Sequence, residues 1–438
     1  MHRNLTKSFE YLEKSRKIIP SLTQTFSRAA YTFVEGVFPV YAKSAKGSHF
    51  IDVDDNEYID YLCGLGPVIL GYSYPKVDDA IKKQLKNGII FSLPHKLEIE
   101  VSELLCDIVP CAEMVKFSKT GSGSATGAIR AARAITKRNK IAYCGSGGVW
   151  HDWYASIISR NQGIPEFNKD LIYTFDYNDI EGLTYIFDKH PNEIACVFME
   201  PTMFERPKDS FLEKVRKLTK ENDSVLIFDE IVTGFRLSNG GGQEYFGVEP
   251  DIAVLGKGIA NGMPLSAVVG KTEYMKIFDE IFFSTTYAGE TLSLAASYAT
   301  ITELKEKPVI KKMWENGIML IDEFNNIAKE HSLEIALVGY PVRMQLVCKD
   351  EKGKDSILMR SLLIQELVKR GIFMHPSVEY ISFSHEKDDI KKTLDAFSDS
   401  ISIINKAVNE NKIESFLEGK PAKPVYTITK QSEKRNSS

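Results

Sequence analysis

The chain has 438 residues, of which 43% are hydrophobic and 26% charged, and its formal net charge is −4. Those proportions describe a globular protein with room for two or three domains. They exclude electrostatic attraction to nucleic acid or anionic lipid, and no apolar stretch approaches the roughly 18 residues that a membrane span needs. The first twenty residues, MHRNLTKSFEYLEKSRKIIP, are charged and amphipathic and lack the apolar core of a signal peptide. Six cysteines are scattered, mostly in apolar runs, with no CxxC pair, and eight histidines show no metal-ligand spacing. We therefore expect buried reduced thiols, no metal and a cytoplasmic protein.

Apolar residues at Phe9, Leu12 and Ile18/Ile19 predict a helix over Ser8–Ile19, closed by Pro20. From Phe38 the period changes to alternation. Turn signals at Lys46-Gly47 and Asp55-Asn56 divide the run into an antiparallel meander of three short strands. Asp52, Asp54 and Asn56 have the spacing that opens a calcium loop, but Glu57 stands where such a loop needs glycine and Cys63 where it needs glutamate; they read as turn residues. A tight loop, Gly64 to Pro75, leads into helices over Val77–Lys86 and Lys96–Ile108. Next comes a strand, Met114–Ser118, then the turn Lys119-Thr120-Gly121-Ser122-Gly123-Ser124, then a helix over Ala125–Thr136. Strands follow at Lys140–Cys144, Asp170–Thr174, Ile194–Met199, Val225–Phe228 and Ile252–Leu255, interleaved with helices at Ile180–Lys189 and Ser210–Lys220. The alternation specifies an α/β fold with a largely parallel sheet and helices on both faces.

After a small-residue-rich helix, Thr291–Leu304, the pattern becomes a separate α+β domain. It has strands at Leu333–Val338 and Val342–Cys348, a helix at Ser356–Arg370, strands at Ile372–Met374 and Ile381–Phe383, and a last helix at Lys387–Val408. The end, KPAKPVYTITKQSEKRNSS, reads as a loose polar tail. The predicted division is an N-terminal segment (1–72) shared with the small domain, a large domain (73–304), the remaining small domain (305–412) and the tail (413–438).

Two of the predicted strands each deliver one charged group at their carboxyl ends, Asp229 and Lys257, where open α/β sheets place their chemistry. An acid and an amine in that arrangement suit pyridoxal phosphate, which needs a lysine for its Schiff base and an acid beside its pyridine nitrogen. The Gly/Ser turn at 119–124 is a candidate phosphate cradle, because free amides and the helix dipole both face an anion there. Neither rival phosphate motif is complete. Thr126 replaces the last glycine of GxGxxG, and no GxxxxGK[ST] occurs. A dehydrogenase using that turn and a binding protein without chemistry remain as alternatives.

Five pieces in one order, DVDDNEYIDY, KTGSGSA, WHDW, FDEIVTGFR and LGKGIANGMPLSAVVG, resemble the class III aminotransferases of fold type I, and within them glutamate-1-semialdehyde aminomutase most. The resemblance spans roughly residues 27 to 400. It implies a large domain with a mainly parallel sheet of the seven-stranded type and a smaller α+β domain. It also implies a pyridoxal 5′-phosphate cofactor, a small-molecule amino donor and a carbonyl acceptor. Lys257 would form the Schiff base and shuttle a proton, Asp229 would hold the ring nitrogen protonated, and Ile231 would pack on one ring face. Gly121 and Ser122 would bind the phosphate. Thr286 of a neighbouring subunit would complete that site, which implies a homodimer. Departures fall on the substrate side. The family's ring-stacking aromatic and His-Gly fall at Gly147, Gly148 and Val149, leaving Trp150 as the candidate for the second face. The aminomutase's substrate-gripping arginine falls at Ala30, with Arg28 out of register. The stretch after Glu200-Pro201 is shorter, and Glu379 lies near the aminomutase's C-terminal glutamate. The same cofactor chemistry on a different substrate is the expectation, with the aminomutase reaction as the alternative.

Overall fold

Seven strands form one sheet in the computed structural model, which describes residues 3–145 and 148–428. Their order is Met114–Ser118, Ser266–Gly270, Ile252–Leu255, Val225–Glu230, Ile194–Met199, Lys140–Cys144, Ile172–Thr174. Ser266–Gly270 runs antiparallel to both of its neighbours, and the other pairings are parallel. The predicted parallel α/β sheet is therefore present, with one antiparallel member that the pattern did not flag. Its sequence, SAVVG, is a short β-branched run, and its five residues are all buried. The central strands are buried along their whole length, as a sheet covered on both faces requires. One core contains Ile129, Ile141, Phe198 and Val254; the other contains Leu183, Val197, Phe211 and Phe228.

The chain divides into two compact units. One joins the chain up to Tyr74 to Lys311–Val425; the other joins Pro75–Ile310 to the stretch beginning at Tyr426. The second unit holds the seven-stranded sheet.

In the first unit the predicted meander is Ala42–Lys46, His49–Asp52 and Glu57–Asp60, with Ile372–Phe373 added in parallel. Asp52 is a turn residue: its Oδ1 accepts from the amides of Asp54 and Asn56 at 2.9 and 2.8 Å. Asp54 accepts from the amides of Lys7 and Ser8, in the first turn of helix Thr6–Ile18, where a carboxylate is favoured by the helix dipole. A second sheet pairs Ile335–Tyr340, Arg343–Cys348 and Glu379–Tyr380. The last strand falls two residues before the predicted Ile381–Phe383. Ser382 bonds to His385 Nδ1 through both its amide and its hydroxyl, which turns the chain out of the ladder.

Glu379 sits in this sheet opposite Met344 and is fully buried. Burial pushes its pKa well above the usual carboxylate range; the His375 backbone offsets part of this and the Asp60 charge adds to it. A raised folded-state pKa means that unfolding releases a proton above the unfolded value of about 4.3, so stability falls as pH rises toward the folded pKa, by up to about 1.4 kcal/mol per pH unit. Glu379→Gln should therefore leave the melting temperature unchanged near pH 4.5 and raise it progressively toward pH 8. A melting-temperature difference that does not depend on pH would contradict a neutral Glu379.

Candidate active site

The site begins with strand register. Asp229 pairs with Val254 and Glu230 with Leu255 in parallel alignment. Lys257 thus follows its strand's last residue by two, on the edge toward which the Asp229 strand also runs. Neighbouring strands lie about 4.8 Å apart, so one small ring can meet both groups. Successive strand residues face opposite ways, which separates two adjacent buried carboxylates. Asp229 Oδ1 accepts the Ile231 amide at 3.0 Å. Glu230 accepts from Thr233 Oγ1, the amides of Gly242 and Gln243 at 2.8 Å each, and Gln243 Nε2. Burial raises the Glu230 pKa and these donors oppose it. Gly241, at φ +86°, leaves room for that carboxylate: a Cβ there would lie 2.7 Å from Glu230 Oε2. Glu230 therefore anchors the glycine-rich loop, while Asp229 lies on the opposite face of the strand.

The Gly/Ser turn is closer to an anion site than the sequence suggested. The helix starts at Gly121, four residues before the predicted Ala125, because Thr120 caps it: Thr120 Oγ1 accepts the Gly123 amide at 3.0 Å. Gly121 and Ser122 are thus the first two helical residues, whose amides have no intrahelical acceptor and face outward from the positive end of the helix. Ser266 fixes the turn from the antiparallel strand by donating to the Thr120 carbonyl at 2.8 Å, and Ser124 Oγ donates to Ser266 Oγ at the same distance. Neither Thr120 nor Ser266 was among the residues picked from sequence; a threonine before a glycine-led helix is the signal that marks such a cap.

Ile231 brings three predicted pieces together. A Cβ on Gly121 would lie 2.6 Å from Ile231 Cδ1, and one on Gly256 would lie 3.3 Å from its Cγ2. The side chain is therefore seated between the phosphate turn and the residue before Lys257. Lys257 has φ +41°, the left-handed region that costs a non-glycine residue about 1–2 kcal/mol. It is half-buried at the start of the short helix Lys257–Ala260.

Trp150 reaches the same place from another segment. Its amide donates to Ser122 Oγ at 3.3 Å, while its indole is 70% exposed and lies 4.2 Å from the His151 ring. Gly147 lies outside the described residues. The loop is held by Trp153, whose Nε1 donates to Thr126 Oγ1 at 2.9 Å. Thr126, the departure from GxGxxG, thus has a structural use. Thr286 is exposed. Its segment is joined to the turn by Lys119, which pairs with Glu290 at 2.9 Å. Burial opposes ionisation of Glu290, but Ser293 and Lys119 hold its pKa below the usual value.

A family model described as Aminotransferase class-III matches residues 31–401. The chain belongs to the class-III aminotransferases. The 3-aminobutyryl-CoA aminotransferase of Cloacimonas acidaminovorans (strain Evry) is 34% identical to it, covering 92% of this chain and 98% of that protein. The glutamate-1-semialdehyde 2,1-aminomutase of Alkaliphilus oremlandii (strain OhILAs) is 35% identical, covering 92% and 100%. The PLP-bound FumI protein of Sphingopyxis sp. MTA144 shares the fold, with a TM-score of 0.87 at 24% identity over 95% of this chain and 99% of that one. This class-III enzyme is a pyridoxal-phosphate-dependent aminotransferase of fold type I. The residues on the sheet edge fit that cofactor: an amine at Lys257, a buried acid at Asp229, a capped helix N-terminus for phosphate, and an apolar face at Ile231.

In the first unit, Ala30 is buried and carries no charge, and the Arg28 guanidinium donates to the Gly64 carbonyl at 2.8 Å. The shortened loop after Pro201 is fastened to the preceding turn. Tyr177 Oη donates to the Pro201 carbonyl at 2.6 Å, and Asn178 bonds to the Arg206 carbonyl and the Lys208 amide.

The Ile231 contacts give a direct test. Gly121→Ala should weaken pyridoxal phosphate binding by about ten-fold or more, because the new methyl must displace Ile231. Ile231→Val in the same chain removes the clashing Cδ1 and should recover part of that loss, measured as the cofactor dissociation constant. Equal affinities for wild type and Gly121→Ala would show that this packing does not shape the site.

Proposed function

We propose that Lys257, Asp229, Gly121, Ser122, Ile231 and Trp150 form the working site of this aminotransferase. The observation that carries the proposal is the seating of Ile231 between Gly121 and Gly256, one residue from Lys257 and two from Asp229. The cofactor, when bound, supplies an electron sink for cleavage at the carbon bearing the amino group. Lys257 would hold it covalently, and its freed Nζ would be the base that takes the proton from the carbon bearing the amino group and gives it to the cofactor's former aldehyde carbon. Asp229, a buried carboxylate, would pair with the ring nitrogen and keep it protonated. The Gly121 and Ser122 amides would hold the phosphate, and Ile231 would pack on one ring face. Trp150 covers the second face; an indole 70% exposed beside the phosphate turn is an unusual surface residue unless a partner or ligand covers it.

The substrate reading follows from Ala30. An arginine would grip a carboxylate in a bidentate, charge-assisted pair, and Ala30 supplies no such grip. We read the substrate as an amine or carbonyl compound whose reacting carbon needs no arginine clamp at that position. A coenzyme A thioester, as in the name of the Cloacimonas relative, meets this requirement because its acyl carbon is no longer a free carboxylate. We further propose a cytoplasmic homodimer in which Thr286 completes the partner's phosphate site. In support, Tyr287 and the run Ile89, Ile90, Phe91 and Leu93 leave large apolar side chains exposed, and the Thr291 amide donates to the Ile89 carbonyl.

Three outcomes test this. Lys257→Ala should abolish turnover and change the absorbance of the bound cofactor, and Asp229→Ala should lower kcat by about a thousand-fold or more with the fold intact. A spectrum unaffected by Lys257→Ala would remove the lysine from its role. With glutamate 1-semialdehyde and no added amino donor, we expect no 5-aminolevulinate; efficient conversion would establish the aminomutase instead. Mixing Lys257→Ala with Thr286→Ala subunits should restore activity, because each hybrid dimer then has one intact site. No recovery would place Thr286 within its own subunit.

A further inference from the structure

The family match ends at residue 401, yet the chain returns to the sheet-bearing unit at Tyr426. There it meets the segment that carries Trp150. Ile428 forms an antiparallel bridge with Ile158. The Ser159 amide donates to the Thr427 carbonyl at 2.9 Å, and the Thr427 amide donates to Ser159 Oγ at 3.1 Å. Tyr426 and Ile428 pack against the core cluster that contains Val149, Trp153 and Tyr154. A Cβ on Gly148 would lie 3.6 Å from the Tyr426 hydroxyl. These contacts lie on both sides of Trp150, at residues 148–149 before it and 153–159 after it.

We propose that Tyr426–Ile428 is a positioning strap for the Trp150–His151 loop, with Tyr426 as its anchoring side chain. This rests on the reading of Trp150 as the aromatic on the second cofactor face. The loop needs external support. Gly145 and Gly148 bring no side chain to pack, and the Trp150 indole projects outward. Inside the enzyme the loop is tied at two points, Trp150 to Ser122 and Trp153 to Thr126, both on the helix that begins at the phosphate turn. The strap adds a third tie from the opposite side of the loop's sequence. Together they fix where the indole stands relative to the phosphate turn, and so which substrates fit between it and Lys257. Tyr426 is a positioning residue: it acts through the loop.

The test uses the full-length holoenzyme with Tyr426→Ala, Tyr426→Phe and Trp150→Ala, and a chain ending at Val425. Tyr426→Ala should speed amide hydrogen exchange in residues 148–159 by about ten-fold or more. It should also weaken pyridoxal phosphate binding by about five-fold, with Tyr426→Phe, which keeps the ring, falling between it and wild type. The chain ending at Val425 should show the same changes, and if it fails to fold, Tyr426→Ala carries the test. Combining Tyr426→Ala with Trp150→Ala should weaken the cofactor no further than Trp150→Ala alone, to within about two-fold, because both act on one contact. Unchanged exchange in residues 148–159 in Tyr426→Ala, or losses that multiply in the double variant, would overturn the strap. If Trp150→Ala by itself leaves cofactor affinity and kcat at wild-type values, the reading of Trp150 fails. Exchange in residues 148–159 then decides the strap alone.

Discussion

The seating of one side chain, Ile231, is the contact on which the site depends. It lies between Gly121, where a methyl would stand 2.6 Å from its Cδ1, and Gly256, where a methyl would stand 3.3 Å from its Cγ2. This contact locks together three segments far apart in sequence: the phosphate turn, the strand end with Asp229 and the turn with Lys257. Packed interiors respond in steps to added volume, so the spacing between the Gly121 turn and the Lys257 turn is set by van der Waals contact. The left-handed backbone of Lys257 is stable only in such a frame, since an isolated lysine would leave φ +41°.

Two consecutive buried carboxylates show how a strand divides structural from chemical work. Glu230 is surrounded by four donors and holds the loop of Gly241–Gln243 in place. Asp229, facing the other way, accepts the Ile231 amide. Burial also pushes the hydroxyl of Tyr143, on the nearby strand end, well up in pKa, with Tyr154, Glu200 and Asp229 adding to it. Tyr143 thus stays neutral beside the acids.

The substrate side is built differently, from loops tied by a few side-chain bonds. The turn after Pro201 is held by Tyr177 and Asn178, and the Trp150 loop by Ser122, Thr126 and the returning chain. Loops on a rigid sheet can change while the cofactor frame stays fixed. That accounts for a chain about equally identical to an aminotransferase and to an aminomutase.

The sequence by itself determined the parallel sheet, since runs such as Ile194–Met199 and Ile252–Leu255 are apolar throughout and strands buried on both faces must be. It also marked Asp229 and Lys257, because a charge at the end of such a run is rarely there for packing. It missed the antiparallel strand Ser266–Gly270, whose five residues are too few to show a period, and it started the phosphate helix at Ala125, because glycine and serine hide a helical turn that Thr120 caps. Only the tertiary structure decided which glycines lie against Ile231, that Glu230 anchors the loop at Gly242 and Gln243, and that the polar-looking end of the chain returns through Tyr426 and Ile428 to the Trp150 loop. The reason is physical: burial and backbone propensity are local and leave a periodic trace in sequence, whereas contacts between distant segments depend on volumes that meet only in the folded chain.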